Sequence, residues 1–170
     1  MAAGVIMPDF YSIVEVKAEW MLQPEAMGGK EKFWYRQPGE LETSWLFKYP
    51  RAGTGEHWAE KIAAEIAESL SIRHARVELA VLKDRPGIVT ESFARGGREL
   101  AHGNQVLARK IRGYDPDLFR PALTKLEKLD KSSVSDLVSR VPDDCISPSA
   151  RKFAIALTRY NLEQLKRVSL

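Results

Sequence analysis

Three short segments carry residues that together could bind a phosphate group. The small loop Met27–Lys30 contains two glycines, which let a backbone approach a ligand closely. Lys48 lies in a strongly apolar stretch, where an ammonium group needs a partner or a ligand. Glu60, or alternatively Glu56, follows on a predicted helix and could hold that lysine. A lysine held by a helix acid beneath a flexible loop is one arrangement that binds nucleotide phosphates.

The same three segments also have an ordinary structural interpretation. A Gly-Gly pair before a strand is common, and a lysine in a strand is more often an outward-facing, solvated residue. On spacing alone the structural interpretation is therefore the favoured one.

The elements that would position these residues begin with three predicted strands. They cover 11–17, 33–36 and 44–49, and Pro38–Gly39 between the last two is a turn signal. Their spacing predicts an antiparallel meander.

A helix is predicted after this meander. From Trp58 to Leu70, apolar residues recur at helical spacing, while Glu60, Lys61 and Glu65 fall largely outside the apolar stripe. Thr54 is the candidate N-cap of this helix.

The rest of the chain changes from strands to helices. Strands are predicted at 75–81 and 88–93, joined by a turn at Asp84–Gly87. The predicted helices that follow cover 104–111, 118–129, 134–141 and 149–168. We therefore predict an α+β fold, an antiparallel sheet with one packed helix followed by a helical tail.

Composition excludes several classes of protein. The 170 residues are 44% hydrophobic with a net charge of +3, which excludes global disorder and does not indicate a nucleic-acid binder. Cys145 is the one cysteine, so neither an internal disulfide nor a thiolate metal cluster can form. No stretch approaches the roughly 18 apolar residues of a membrane span, and we expect a cytoplasmic protein.

Five segments resemble the HipA-like serine/threonine kinase family. The clearest are WLFKYPR at 45–51 and GEHWAEKIAAEIA at 55–67, and the others lie at 71–79, 89–93 and 102–107. The resemblance covers roughly residues 10–115. It implies a kinase-like small (ATP-binding) lobe at 1–113, followed by a helical carboxy-terminal segment at 114–170.

The resemblance also implies a site for ATP, accompanied by Mg²⁺. The strand lysine would bind the nucleotide phosphates and the helix acid would hold it. The loop Met27–Lys32 would cover the phosphates, and a hinge at Glu91–Phe93 would lie beside the adenine. The implied residues are Gly28, Gly29, Lys30, Lys48, Glu60, Glu91, Ser92 and Phe93.

The chain departs from this family in its catalytic residues. It contains neither a His-x-Asp catalytic loop nor an Asp-Phe-Gly-like triplet. Asp143–Asp144 is a paired acid, but a solvated turn with an N-cap role is a better interpretation than a metal site. The resemblance implies that the catalytic segment is missing near 113–117. Phosphoryl transfer by this chain alone should then be poor or absent, and ATP binding weak.

Three functions are compatible with the sequence. The first is a truncated, pseudokinase-like HipA relative that keeps its ATP-binding lobe. The second is an interaction module that binds a partner kinase or a DNA-binding antitoxin of a toxin–antitoxin pair. The apolar band of the last helix, which includes Phe153 and Leu157, either packs on the sheet or offers this partner surface. The third is a kinase half completed by another chain.

We expect no membrane association. We also expect no direct nucleic-acid binding, because the basic region 93–113 is better interpreted as a solvated face.

Overall fold

A computed structural model describes residues 9–24, 29, 31–40, 43–92, 124–125 and 129–168. In these residues the predicted α+β class is confirmed, with a six-stranded sheet, a helix on the sheet and a helical tail. The strands are β1 Ile13–Glu15, β2 Met21–Pro24, β3 Lys32–Tyr35, β4 Trp45–Lys48, β5 Val77–Leu82 and β6 Arg85–Glu91. The helices are α1 Glu56–Ser69, α2 Lys131–Ser139 and α3 Pro148–Val168.

The sheet is mixed, and the predicted meander is wrong in its first strand. The strand order is β1-β5-β6-β4-β3-β2, with every neighbouring pair antiparallel except β1 and β5. Ile13 lies opposite Leu79 in that parallel pair. Alternation of apolar and polar residues identifies a strand but carries no information about its partner.

The strand next to β3 is β2, which the sequence did not predict. A single 3₁₀ turn, Ala18–Trp20, leads from β1 into β2. Met21–Pro24 lacks both β-branched residues and alternation, and it ends in a proline, which is tolerated because β2 is an edge strand.

The hairpin between β5 and β6 turns earlier than predicted. Lys83 and Asp84 have φ angles of 49° and 61°, and together they form the two-residue loop. Pro86 and Gly87, predicted to be part of the turn, instead pair with β5. A two-residue hairpin requires positive φ at its central positions, and Lys83–Asp84 supplies both, so the prediction of a Pro-Gly turn is wrong.

Helix α1 is confirmed, but Thr54 is not its N-cap. Gly55 occupies that position, and the Thr54 hydroxyl donates a hydrogen bond to the Arg51 carbonyl oxygen at 2.8 Å. The Glu56 carboxylate accepts the Arg51 amide N–H at 3.0 Å, so this acid closes the turn before the helix.

The two faces of the sheet carry different cores. One face, which we call the aromatic face, is built around Phe47, with Phe33, Tyr35, Trp45 and Tyr49 beside it. The other, the helix face, packs Ile62 of α1 against Leu79 and Ile88. The tail contributes to that same core through Val138, Val141, Ile146 and Ala154. Sheet, α1 and tail therefore share buried surface on the helix face.

The tail helices predicted at 134–141 and 149–168 are confirmed as α2 and α3. The predicted N-cap role of Asp143–Asp144 is wrong. Ser147 lies directly before α3, and its hydroxyl accepts the Ala150 N–H at 3.2 Å. The Asp143 carboxylate instead accepts a hydrogen bond from Arg151 at 2.7 Å.

Two helix predictions fall largely or wholly outside the described residues. The first, at 104–111, lies entirely outside them, and of 118–129 only residues 124–125 are described as helical. None of the helices in the described ranges combines the length and apolar character that a membrane span requires.

Candidate functional site

Lys48 and Glu60 meet on the helix face of the sheet. The Lys48 Nζ donates to the Glu60 Oε2 at 3.2 Å. Their side chains are 25% and 35% exposed, so the pair is accessible to a ligand. The alternative partner, Glu56, binds the Arg51 guanidinium at 3.3 Å. Glu60 is therefore the acid that holds Lys48.

The alternation of β4 determines where Lys48 points. Trp45 and Phe47 are buried in the aromatic face, so Leu46 and Lys48 project from the opposite face. That opposite face is the one on which α1 lies, because Lys48 is directly opposite Ile88 of β6, which packs against α1. The last residue of β4 and the second turn of α1 thus form the pair.

A second lysine lies beside the first. Lys32 of β3 is directly opposite Lys48 in the antiparallel pair. Directly opposed residues project from the same face, with Cβ atoms about 4.5–5.5 Å apart. Among the described residues, these two lysines and Glu60 carry a net charge of +1, which suits an anion.

Three of the residues implied by the resemblance lie outside the described residues. They are Gly28, Lys30 and Phe93. Gly29 is described, and a Cβ atom built on it would have no other atom within 4 Å, so the space beside this backbone is open.

The hinge residues Glu91 and Ser92 already use their amide groups. The Glu91 N–H donates to the Arg76 carbonyl oxygen at 2.9 Å, and the Ser92 N–H donates to the Ser44 carbonyl oxygen at 2.8 Å. A base that bound beside them would have to use carbonyl oxygens of these two residues or groups beyond them.

A second polar cluster, around Lys61, was missed by the sequence reading. Lys61 was predicted to fall largely outside the apolar stripe of α1, but it is only 4% exposed. Its Nζ contacts Glu65 at 2.6 Å, Glu78 at 2.8 Å and the Val77 carbonyl oxygen at 3.1 Å. The spacing of Lys61 and Glu65, four residues apart on a helix, was the available signal.

A cavity of about 420 Å³ adjoins this cluster between α1 and residues 72–78. Apart from Arg73, its charged side chains pair with one another: besides the Lys61 contacts, His74 lies 3.1 Å from Glu68 and Arg76 lies 3.1 Å from Glu78. Because these charges already have partners, the cluster's evident role is to join α1 to β5. The accessible Lys48–Glu60 pair, which the cavity does not include, is the better candidate site.

His57, on the first turn of α1, is a buried histidine. It is 7% exposed, and neither ring nitrogen has a partner in the described part of the chain. Burial lowers the pKa of His57, and the nearby backbone of Cys145 acts in the opposite direction without offsetting it. The folded protein therefore holds this imidazole neutral at pH values where the unfolded chain begins to protonate it.

This burial predicts an acid-sensitive fold. As pH falls below about 6.5, His57 becomes protonated in the unfolded state but stays neutral in the folded state. The free energy of unfolding therefore decreases by at most about 1.4 kcal/mol per pH unit. Thermal melts between pH 7.5 and 5.5 should show this decrease in the wild type and a smaller one in His57→Met. The control is His74→Gln, at the exposed His74. If the decrease in stability between pH 7.5 and 5.5 were reduced as much in that variant as in His57→Met, the assignment to His57 would be contradicted.

Cys145 has no features of a reactive thiol. Burial, reinforced by Asp144, raises the pKa of its thiol to about 11. The side chain is therefore protonated at neutral pH and is a poor nucleophile. The described residues also contain no group of three or more His, Cys, Asp or Glu side chains placed to hold a metal ion.

No family model, curated protein or solved structure matches the chain. The resemblance to HipA-like kinases therefore stays a prediction from the sequence segments that suggested it. Any function assigned to the site depends on the contacts described above and on that resemblance.

Proposed function

We propose that this chain binds the phosphates of ATP at the Lys48–Glu60 pair, as a truncated, pseudokinase-like relative of HipA kinases that does not transfer phosphate by itself. The observation that carries the proposal is the 3.2 Å contact between the strand lysine and the helix acid. Residue types and order left Glu60 and Glu56 as alternative partners of Lys48, and the resemblance implied Glu60. A lysine held in this way is suited to nucleotide phosphates.

The energetics of the pair support a binding role over a stabilising one. An ion pair with partners 25% and 35% exposed contributes only about 0–1 kcal/mol to stability. Such a pair holds Lys48 in one orientation at low net benefit to the fold, and its ammonium retains N–H groups for a ligand. Leu46, two residues earlier on the same face, offers an apolar surface to the less polar part of a nucleotide.

Magnesium would accompany the nucleotide. The described residues do not fit a protein-held Mg²⁺ site, because they contain no suitable cluster of acidic side chains. The ion would be coordinated chiefly by the phosphates that Lys48 binds. The sequence also lacks the catalytic-loop and metal-binding aspartates of kinases, and these groups position the hydroxyl and stabilise the transferred phosphoryl group. The proposed activity is therefore binding.

A thermal melt with and without millimolar Mg·ATP tests the proposal. Ligand at about 100 times its dissociation constant stabilises a fold by about 2.7 kcal/mol, which raises the melting temperature by several degrees. We expect that rise in the wild type and its loss in Lys48→Met. Lys152 is an exposed lysine on α3, and Lys152→Met is the matched control. Its melting temperature should rise with Mg·ATP as that of the wild type does.

Two results would contradict the proposal. The first is a cooperative melt that does not respond to Mg·ATP in the wild type. The second is phosphorylation of the chain or of a generic substrate that Lys48→Met abolishes, since this would show a competent kinase. A chain that transfers phosphate only after a second protein is added would support the third function, a kinase half completed by another chain.

Binding of a partner protein is the second candidate function. Phe153, Leu157 and Tyr160 of α3 are 64%, 45% and 58% exposed and follow one another at helical spacing. The apolar band predicted for this helix is thus divided: its Leu162 is buried, while these three residues face outward. Ala154, which lies outside the predicted band, is buried as well. Size-exclusion chromatography with light scattering tests this function, and a monomer at all concentrations that captures neither a partner kinase nor an antitoxin would count against it.

A further inference from the structure

The cavity between α1 and residues 72–78 has one charged side chain without a partner. Arg73 lines this cavity, and within the described part of the chain its guanidinium forms neither an ion pair nor a hydrogen bond. An arginine stays charged throughout the physiological pH range, and its planar fork of N–H groups matches the two oxygens of a carboxylate. The cavity therefore offers an unused group for an anion.

The acidic side chains of the same lining are already paired. Glu65 and Glu78 contact the Lys61 Nζ at 2.6 and 2.8 Å, and Glu68 lies 3.1 Å from His74. A cationic ligand would have to displace one of these contacts. An anion that binds the free guanidinium displaces none of them.

The charge of the lining favours an anion with a single charge. Three basic and three acidic side chains line the cavity, so its formal charge is zero while the histidine is neutral. Three carboxylates repel a dianion more strongly than a monoanion. The basic residues are Lys61, Arg73 and Arg76, and the acidic residues are Glu65, Glu68 and Glu78.

The rest of the lining includes apolar side chains. Ala64 of α1 lies on one wall, and Ile72 and Val77 lie on the other. Ile72 is 41% exposed, and covering such a side chain with an apolar group is favourable. The volume of about 420 Å³ is within the range of small-molecule sites. The lining thus suits a ligand that combines an apolar body with one negative charge.

The backbone holds the wall with Ile72 and Arg73 in place. The Ile72 N–H donates to the Ala67 carbonyl oxygen at 2.8 Å, as in a Schellman motif at the end of a helix. Ser71 has a φ angle of 50°, and its carbonyl oxygen accepts a hydrogen bond from the Lys125 Nζ at 3.0 Å. A wall that is ordered before the ligand arrives lowers the entropy cost of binding.

We propose that this cavity binds a small monocarboxylate, with the carboxylate on Arg73 and the apolar body against Ala64, Ile72 and Val77. A free organic acid and the carboxyl terminus of a peptide with an apolar last residue share this chemistry. The cavity does not include the Lys48–Glu60 pair, so the proposal does not depend on nucleotide binding.

Titration of the isotope-labelled full chain with millimolar hexanoate, followed through its backbone amide resonances, tests the proposal. Acetate, which lacks the apolar body, and hexylamine, which reverses the charge, are the comparison ligands. We expect hexanoate to shift resonances in the second half of α1 and in 72–78, and we expect acetate and hexylamine to bind much more weakly.

Variants of the cavity test the two parts of the ligand separately. Arg73→Gln should raise the dissociation constant of hexanoate about tenfold, and Ile72→Ala should raise it severalfold. Arg51→Gln, at an arginine outside the cavity, is the matched control and should bind hexanoate as the wild type does. Lys48→Met should also bind hexanoate normally, which separates this site from the proposed nucleotide site. Thermal melts without ligand establish that each variant is folded.

Three results would overturn the proposal. They are the absence of hexanoate-induced shifts around the cavity in the folded wild type, unchanged binding in folded Arg73→Gln, and binding of hexylamine as tight as that of hexanoate. N-acetyl-leucine, which resembles the end of a peptide, distinguishes the two sources of the carboxylate. Tighter binding than hexanoate would support a peptide terminus as the occupant, and weaker binding would support a free acid.

Discussion

Replacing Lys61 by methionine is expected to lower the free energy of unfolding by about 3 kcal/mol, because removing one partner of a buried ion pair leaves the other charges unpaired. Methionine fills a similar volume, so the loss reports charge and hydrogen bonding more than packing. Denaturant unfolding at pH 7 measures it. The expected loss is at the lower end of the range for breaking a buried ion pair, because the Glu65 and Glu78 side chains are 23% and 19% exposed.

The contacts of Lys61 explain why one side chain has this effect. Its ammonium joins α1 to β5 through Glu78 and lies 4.8 Å from the ring centroid of Tyr11, which leads into β1. Burial raises the pKa of the Glu78 carboxyl, but the hydrogen bond and charge of Lys61 outweigh burial, and the pKa lies below its usual value. The stability that this carboxylate contributes is therefore present above its unfolded pKa of about 4.3 and is lost as pH falls below it.

A matched lysine separates this effect from the loss of any surface charge. Lys131 forms an ion pair with Glu163, but its side chain is 65% exposed. Lys131→Met should change stability by less than about 1 kcal/mol. The deficit of Lys61→Met relative to the wild type should also shrink below pH 4, where the carboxylates protonate. A deficit as small as that of Lys131→Met would contradict the role assigned to Lys61.

Replacing Gly87 by alanine is expected to destabilise the fold by up to about 3 kcal/mol, since added atoms in a filled core force strain. A Cβ atom at Gly87 would lie 2.3 Å from the Phe47 ring. That ring is fully buried and cannot withdraw, because Phe33 stacks on it at 5.0 Å and Tyr49 meets it edge-on at 4.8 Å. Gly87→Ala should therefore lower the denaturation midpoint clearly.

A double-mutant cycle tests whether the Phe47 ring causes this loss. Phe47→Leu shortens the side chain that the new methyl group would meet, so the cost of Gly87→Ala should be smaller in the Phe47→Leu background. Gly29→Ala is the control, because open space surrounds that position. Strictly additive effects of the two substitutions would show that the strain lies elsewhere.

Much of the fold was predictable from local patterns. The aromatic-rich segments 33–36 and 44–49 and the helical spacing after Trp58 correspond to β3, β4 and α1 within about two residues. That a helix acid would meet Lys48 was also predictable, because consecutive packed elements bring their facing residues together, but the residue pattern left Glu60 and Glu56 as alternatives. These features depend on neighbours in sequence, where periodicity is informative.

The features that were missed depend on residues distant in sequence. Nothing in 11–17 indicates that β1 pairs with β5, about sixty residues later. Lys61 is charged, so its burial became evident only when Glu78 and Tyr11 were found around it. The position of Lys32 directly opposite Lys48 likewise became evident only from the sheet register.

Titration of the isotope-labelled protein with Mg·ATP, followed through its backbone amide resonances, tests the central claim most directly. The account predicts that shifts cluster in β3, β4 and the first half of α1, around Lys32, Lys48 and Glu60, and that Lys48→Met abolishes them while Lys152→Met retains them. No shift in the folded wild type at millimolar nucleotide would contradict the claim. Shifts confined to the cavity beside residues 72–78 would contradict it equally, because they would place the ligand away from the lysine pair.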